Sequence, residues 1–221
     1  RTAVMDEIVM RCVRDGATSV LNLAACLDAR AYRLPLAPTL RWMHVDLPDS
    51  VADFREQMAG EIPRCAVEYI GADLRDAQTR RDVFAHAGTN GPVLAITEGL
   101  LVYLEAENVS ELAADLHDIA HARWWLTDLA SPRLLKMLKR RWQPQLNAGN
   151  APFRFGPADG TAFFKPYGWQ ESEFRSTWDE SLRLDRTMPN IWLWKLLNRL
   201  QPARKREEMR RMSGIVLMQS N

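Results

Sequence analysis

The chain has 221 residues, a hydrophobic share of 47% and a charged share of 26%, which suffices for one sizeable core and is ordinary for a globular protein. Its formal net charge of +1 gives no electrostatic case for a nucleic-acid or membrane partner, and no apolar run approaches the roughly 20 residues that span a bilayer. Cys12, Cys26 and Cys65 lack metal-ligand or redox spacing, and their odd number fits a reducing, cytoplasmic setting.

Ala3 to Arg14 is predicted to be a helix, because Val4, Ile8, Val9 and Cys12 form an apolar stripe that Asp15-Gly16 ends. Val20–Leu23 is the first strand. It runs into the small residues Ala24, Ala25 and Cys26, and Leu27–Arg33 follows as a possible helix. Strand, tight small-residue turn and helix is the order in which α/β domains seat a nucleotide. Pro35 and Pro38 end any helix there. Arg41–Pro48 reads as a strand closing on Asp46, Ser50–Met58 as a helix, and Cys65–Asp73 as a strand closing on Asp73. A helix is expected over Asp76–Ala87 and a turn over Gly88–Pro92.

Val93–Gly99 is almost wholly apolar up to Glu98, as a strand covered on both faces should be. Glu105–His121 has clear helical spacing, and Arg123–Leu129 is the fifth strand. The βα alternation implies an open parallel sheet with helices on both faces. Beyond it, Ser131–Trp142 is expected to be helical, Pro144–Pro166 loop-like, and Glu171–Leu182 helical. Arg183–Arg186 could begin a sixth strand, Ile191–Arg211 is expected to be helical in pieces, and Ile215–Gln219 closes the sheet.

Four successive strands thus end in a small-residue turn or an acid: Ala24-Ala25-Cys26 with Asp28, then Asp46, then Asp73-Leu74, then Glu98-Gly99. Ligands of open α/β sheets sit outside the carboxyl ends of the strands, so one shared cleft is consistent with all four. Each acid alone could equally be a helix cap or turn former. His117 and His121 share a helix face but lack a third ligand, so no metal site is expected. Trp124-Trp125 and the Trp192/Trp194 pair read as core or interface, and Arg204-Lys205-Arg206 as a solvated helix face.

Together these segments resemble the class I S-adenosylmethionine-dependent methyltransferases, and within them the leucine carboxyl methyltransferase family and its bacterial polyketide-type O-methyltransferase relatives. Val20–Arg30 is similar to that family's "V-N-L-G-A-G-L-D-T-R", and Val45-Asp46-Leu47-Pro48 to its "V-D-L-P". Glu98-Gly99-Leu100-Leu101-Val102-Tyr103-Leu104 is similar to "E-G-L-L-x-Y-L"; Tyr167-Gly168-Trp169 and Arg1-Thr2 also match. The resemblance implies a Rossmann-like, doubly wound, mostly parallel seven-stranded sheet in a single domain over residues 1–221, with 144–211 less regular and substrate-side.

The resemblance also implies roles. S-adenosyl-L-methionine would lie with its methionine part along Ala24, Ala25, Cys26 and Asp28. Arg1 would meet its carboxylate, and Asp46 with Leu47 the ribose. Asp73-Leu74 would hold the adenine, with Glu98-Gly99 near the amino group and Tyr103 facing the transfer region. The implied activity is O-methylation of a carboxyl or hydroxyl of a small molecule, in a monomer or homodimer with no nucleic-acid or membrane partner.

Two departures stand out. The family glycines are replaced by Ala24 and Cys26, which would cost about 1–2 kcal/mol each if the turn needs positive φ. Relatives also carry a helical cover before Arg-Thr, and this chain, which starts at Arg1, is expected to lack it. A non-catalytic cofactor-sensing or protein-interaction module is therefore the alternative. A nicotinamide-dependent oxidoreductase fits less well, since G-x-G-x-x-G is absent.

Overall fold

Adjacent residues of each apolar run face opposite sides of a strand, so a run apolar at every position can form only where helices cover both faces. The computed structural model, which describes residues 1–148, 152–186 and 201–221, shows this arrangement. Val20, Trp42, Leu94, Ile96, Trp124 and Leu126 join one buried cluster with Val4, Met5, Ile8, Val9 and Cys12 of helix α1 (Thr2–Arg14). Their neighbours Leu21, Met43, Ala95 and Trp125 join the other. That second cluster is completed by Val83 and Phe84 of α4 (Ala77–Ala87) and Val109, Leu112 and Leu116 of α5 (Ala106–Asp118).

The strands are β1 (Ser19–Leu23), β2 (Arg41–Asp46), β3 (Ala66–Gly71), β4 (Val93–Thr97), β5 (Ala122–Ala130), β6 (Trp169–Ser176) and β7 (Ser213–Ser220). They form one seven-stranded sheet in the order β3-β2-β1-β4-β5-β7-β6. β1 to β5 are parallel and β7 runs antiparallel to both β5 and β6. The order reverses between β1 and β4, which places a switch-point crevice above their carboxyl ends. The short α2 (Arg30–Arg33), α3 (Pro48–Gln57), α6 (Pro132–Ala148), α7 (Thr177–Arg183) and α8 (Ala203–Arg210) complete the described helices. Among the described residues no helix is long and apolar enough to cross a membrane.

The first five strands and the helices between β2 and β5 fall where the sequence predicts them, within a few residues. Four stretches differ. Leu27–Arg33 is helical only from Arg30, because the Asp28 carboxylate accepts the Arg30 N–H at 2.9 Å and keeps the chain in a turn up to that point. The α6 helix runs on to Ala148, and Gly160–Tyr167 is a 3₁₀ segment rather than loop. Glu171–Leu182 is not one helix: its first part is edge strand β6, and α7 begins at Thr177 with Ser176 as its cap. The many charges of β6 are paired, Glu171 with Arg211, Glu173 with Arg11 and Arg175 with Glu7. This polar edge strand carries no apolar alternation for the sequence to reveal. Arg183–Arg186 is the end of α7 and its exit turn, with Asp185 at φ 51°, rather than a strand.

Trp124 and Trp125 are core, and the Trp125 indole N–H donates to Thr97 Oγ1 at 2.9 Å. Gly168 ends the 3₁₀ segment at φ 84°, where a Cβ would run into the His117 ring, and Trp169 beside it is fully buried. Arg204-Lys205-Arg206 is an exposed helix face. Trp192, Trp194 and the expected helix over 191–200 lie outside the described residues.

Candidate functional site

β1 ends at Leu23, and the chain must turn at once to reach α2. The turn places Ala24 at φ 50° and Cys26 at φ 48°, the left-handed region that glycine occupies at no steric cost. The two positions that align with glycines of the family pattern the sequence resembles are thus the two that are strained here, at about 1–2 kcal/mol each. The turn is held from beneath: Ala25 N–H donates to the Val45 carbonyl at 3.1 Å, and Cys26 N–H to Asp46 Oδ2 at 2.7 Å. Asp46 Oδ1 accepts the Leu47 N–H at 2.7 Å. Each Asp46 oxygen therefore spends one acceptor site on backbone and keeps another free.

Two cavities meet at Ala24. The smaller, about 320 Å³, is lined by Arg1, Ala24, Ala25, Cys26, Asp28 and Glu98, together with Asn22, Arg30 and Arg33. The larger, about 690 Å³, is lined by Ala24, Asp46, Leu47, Asp73, Leu74 and Tyr103, with Arg75, Arg80 and Leu100 among its other walls. Eleven of the twelve residues singled out from the sequence therefore line one two-part cleft at the switch point. The twelfth, Gly99, stands behind it at φ 68°, its N–H donating to Asp128 Oδ1 at 2.6 Å. Tyr103 is half-exposed and lines the larger cavity, tilted against Phe153 at 5.7 Å between ring centroids.

Five residues lining the smaller cavity are charged: Arg1, Asp28, Arg30, Arg33 and Glu98. Arg1 Nε lies 2.8 Å from Glu98 Oε1, and its Nη1 3.3 Å from Asp128 Oδ2. Arg30, with only 2% of its surface exposed, reaches Asp6 Oδ1 at 2.8 Å, Asp28 Oδ2 at 2.6 Å and Glu98 Oε2 at 2.7 Å. Arg33 takes Asp6 bidentately at 2.6 and 2.7 Å. Burial pushes the Asp6 carboxyl up, but the Arg33 and Arg30 hydrogen bonds outweigh it and hold the group below its usual range.

In the larger cavity Asp73 is half-buried, and the Arg75 guanidinium and N–H hold its carboxyl down to about 2. The buried Arg80 donates to the Leu74 carbonyl at 3.2 Å and to Asp115 at 2.8 Å, fixing the Asp73-Leu74 loop from behind. Beneath the turn, His44 is buried and stacked on Phe54 at 4.3 Å; burial draws its pKa down against the pull of Asp28, Asp46 and the Cys26 backbone. Among the described residues no group of three or more His, Cys, Asp or Glu is placed to hold a metal.

Sequence reasoning missed Arg30, Asp128 and Arg80 as parts of the site. Arg30 lies inside the first recognisable block and so carried a signal, whereas Asp128 lies within β5, two residues short of its end. Arg80 lies in mid-helix and carried none.

The strand order, with a cleft above the β1–β4 switch point, defines the Rossmann-like class I methyltransferase fold. The solved structures that resemble it say the same. A candidate methyltransferase from Thermobifida fusca aligns with 99% of this chain and 81% of its own, at TM-score 0.62 and 17% identity. Magnesium protoporphyrin IX methyltransferase from Synechocystis PCC 6803, solved with S-adenosylhomocysteine, aligns with 99% and 83%, at TM-score 0.54 and 14% identity. Identities this low speak for the fold alone. The leucine carboxyl methyltransferase family profile matches residues 1–117, and the chain belongs to that family.

A Parafrankia protein named as a candidate S-adenosyl-L-methionine-dependent methyltransferase is 37% identical over 119 residues, 52% of this chain and 38% of its own length. One from Mycobacterium marinum with the same description is 26% identical over 186 residues, 77% of this chain and 60% of its own. The chain spans less than two thirds of the length of either relative.

Proposed function

We propose that the two-part cleft binds S-adenosyl-L-methionine and that the protein is an O-methyltransferase acting on a carboxyl or hydroxyl of a small molecule. The observation that carries this reading is the division of labour about Ala24. On one side a carboxylate–guanidinium pair, Glu98 with Arg1, matches the ammonium and carboxylate of an α-amino acid. On the other, Asp46 keeps an acceptor site on each oxygen, which suits a vicinal diol, and Leu47 and Leu74 supply apolar wall for a base.

When bound, the cofactor supplies an activated methyl group on a sulfonium. The chain's own residues bind, orient and exclude water: Arg1 and Glu98 fix one end, Asp46 the other, and the turn sets the depth between them. A carboxylate acceptor is already ionised at neutral pH and needs no general base. Tyr103 is the tyrosine available beside the larger cavity for an acceptor that does.

Calorimetry should show micromolar S-adenosylhomocysteine binding that weakens by about 2–3 kcal/mol in Asp46→Ala; a folded protein that takes up no ligand sinks the proposal. One observation favours a second reading. Ala24 and Cys26 stand at positive φ with their Cβ atoms at the cleft, as in a site relaxed from selection for binding. In that case the chain is a non-catalytic module, and the Ala24→Gly/Cys26→Gly pair should raise affinity more than tenfold, or about 1.4 kcal/mol. An unchanged affinity marks the turn as a tolerated variant.

A further inference from the structure

Arg30 is the most buried charge of the cleft, and its placement is specific. Three carboxylates from three elements converge on one guanidinium: Asp6 from α1 on Nε, Asp28 from the turn on Nη1, and Glu98 from the end of β4 on Nη2. Asp28 is further fixed by Asn22 Nδ2 at 2.8 Å and by the Arg30 N–H at 2.9 Å. A buried ion pair is weak grounds for a role in stability, because desolvation offsets much of the attraction. The arrangement matters for what it prevents.

Arg1 lies against Glu98 through Oε1 only, while Arg30 occupies Oε2. Without Arg30 both Glu98 oxygens would be open to Arg1, and a guanidinium facing a free carboxylate closes on it bidentately. Such a clamp would have to be broken before an ammonium and a carboxylate could enter between the two. With Oε2 held, Oε1 alone faces Arg1 and the cavity, and it can pass from Arg1 to an incoming ammonium.

We propose that Arg30 is a positioning residue that holds Glu98 by one oxygen so that the other serves as acceptor for the ligand's α-ammonium group. This rests on the cofactor reading above and adds to it a residue that does not touch the ligand's reacting atoms. The planar fork is essential, since the three acceptors lie on three different nitrogens. Lysine keeps the charge but offers a single nitrogen on a flexible stem.

The test is calorimetric titration of wild type and Arg30→Lys with S-adenosylhomocysteine and with its deaminated analogue, which has hydrogen in place of the α-amino group. Arg30→Lys should weaken the parent ligand about tenfold, the order of one hydrogen bond to a charged group. It should leave the analogue within about twofold, where a merely structural defect would weaken both alike. Equal losses, or no loss, overturn the role of Arg30 while the cofactor reading stands on wild-type binding. A wild type that binds both ligands equally also removes the role, because Glu98 then accepts no ammonium. A wild type that binds neither overturns both. Should Arg30→Lys fail to fold, Asp6→Asn frees Nε from α1 and loosens the fork; it should show a smaller loss confined to the parent ligand, and unchanged discrimination refutes the proposal.

Discussion

At one end of the cleft Asp6, Asp28 and Glu98 converge on a guanidinium that water does not reach; at the other Asp46 and Asp73 sit near the surface, each satisfied by backbone N–H groups or a neighbouring arginine. The first end is organised by charges that neutralise one another out of solvent. The second is organised by caps that any short acidic turn can form. Damage at the first end should therefore spread into stability, whereas damage at the second should stay local to the ligand.

The largest effect should come from Arg30→Met. It strands three carboxylates around an apolar side chain, and breaking a buried ion network in this way costs about 3–5 kcal/mol. Urea unfolding should show the loss as a fall in midpoint with little change in slope. A loss below about 1 kcal/mol would mean that water already solvates the cluster and that the contrast between the two ends is false.

Next is Asp46→Ala. It removes the acceptor for Cys26 N–H and two sites offered to the ligand, so binding of S-adenosylhomocysteine should weaken by about 2–3 kcal/mol. Stability should fall by only about 1 kcal/mol, the scale of one lost cap. A stability loss as large as the binding loss would place Asp46 in the same category as Arg30.

The Ala24→Gly/Cys26→Gly pair tests the joint between the ends. Relief of left-handed strain gains about 1–2 kcal/mol per position, and the added freedom of glycine in the unfolded chain takes back about 0.5–1 kcal/mol of it. Thermal unfolding should rise by a few degrees. A fall would show that the Cβ atoms contribute packing that outweighs the strain.

The same contrast explains what could be read from the sequence. β4 was the most legible strand because one buried on both faces is apolar along its length, as Val93–Ile96 is. The positions of Asp46 and Asp73 were legible too, since each closes or directly follows its own strand. The charged network was only half legible. Glu98 and Asp28 carried a pattern, but Arg30 gains its meaning from Asp6, 24 residues away in another element. β6 failed for a related reason: its charges are paired by Arg11, Glu7 and Arg211 from distant segments, so the edge strand reads as a polar helix until its partners are in place. Periodicity reports burial on an element's own faces, and cannot report a partner brought in by topology.

The smallest effect lies in the acid limb of stability, where the two ends can be compared by titration. Asp6 and Asp73 both titrate below their usual value in the folded protein. A carboxyl depressed on folding contributes stability that is fully present above its unfolded pKa, near 4, and is lost as the pH falls through the folded value. For Asp73, whose folded carboxyl lies at about 2, the loss runs from about pH 4 down to about pH 2. That carboxylate is 41% exposed, so solvent screens its pairing with Arg75, and Asp73→Asn should alter stability at pH 7 by less than about 0.5 kcal/mol. Asp6 is 16% exposed and bound by two guanidiniums, so Asp6→Asn should both lower stability at neutral pH and flatten its decline below about pH 4. Chemical denaturation across that range distinguishes them: the acid limb should shrink clearly in Asp6→Asn and barely in Asp73→Asn. The reverse order would locate the electrostatic organisation of the cleft at its Asp46–Asp73 end.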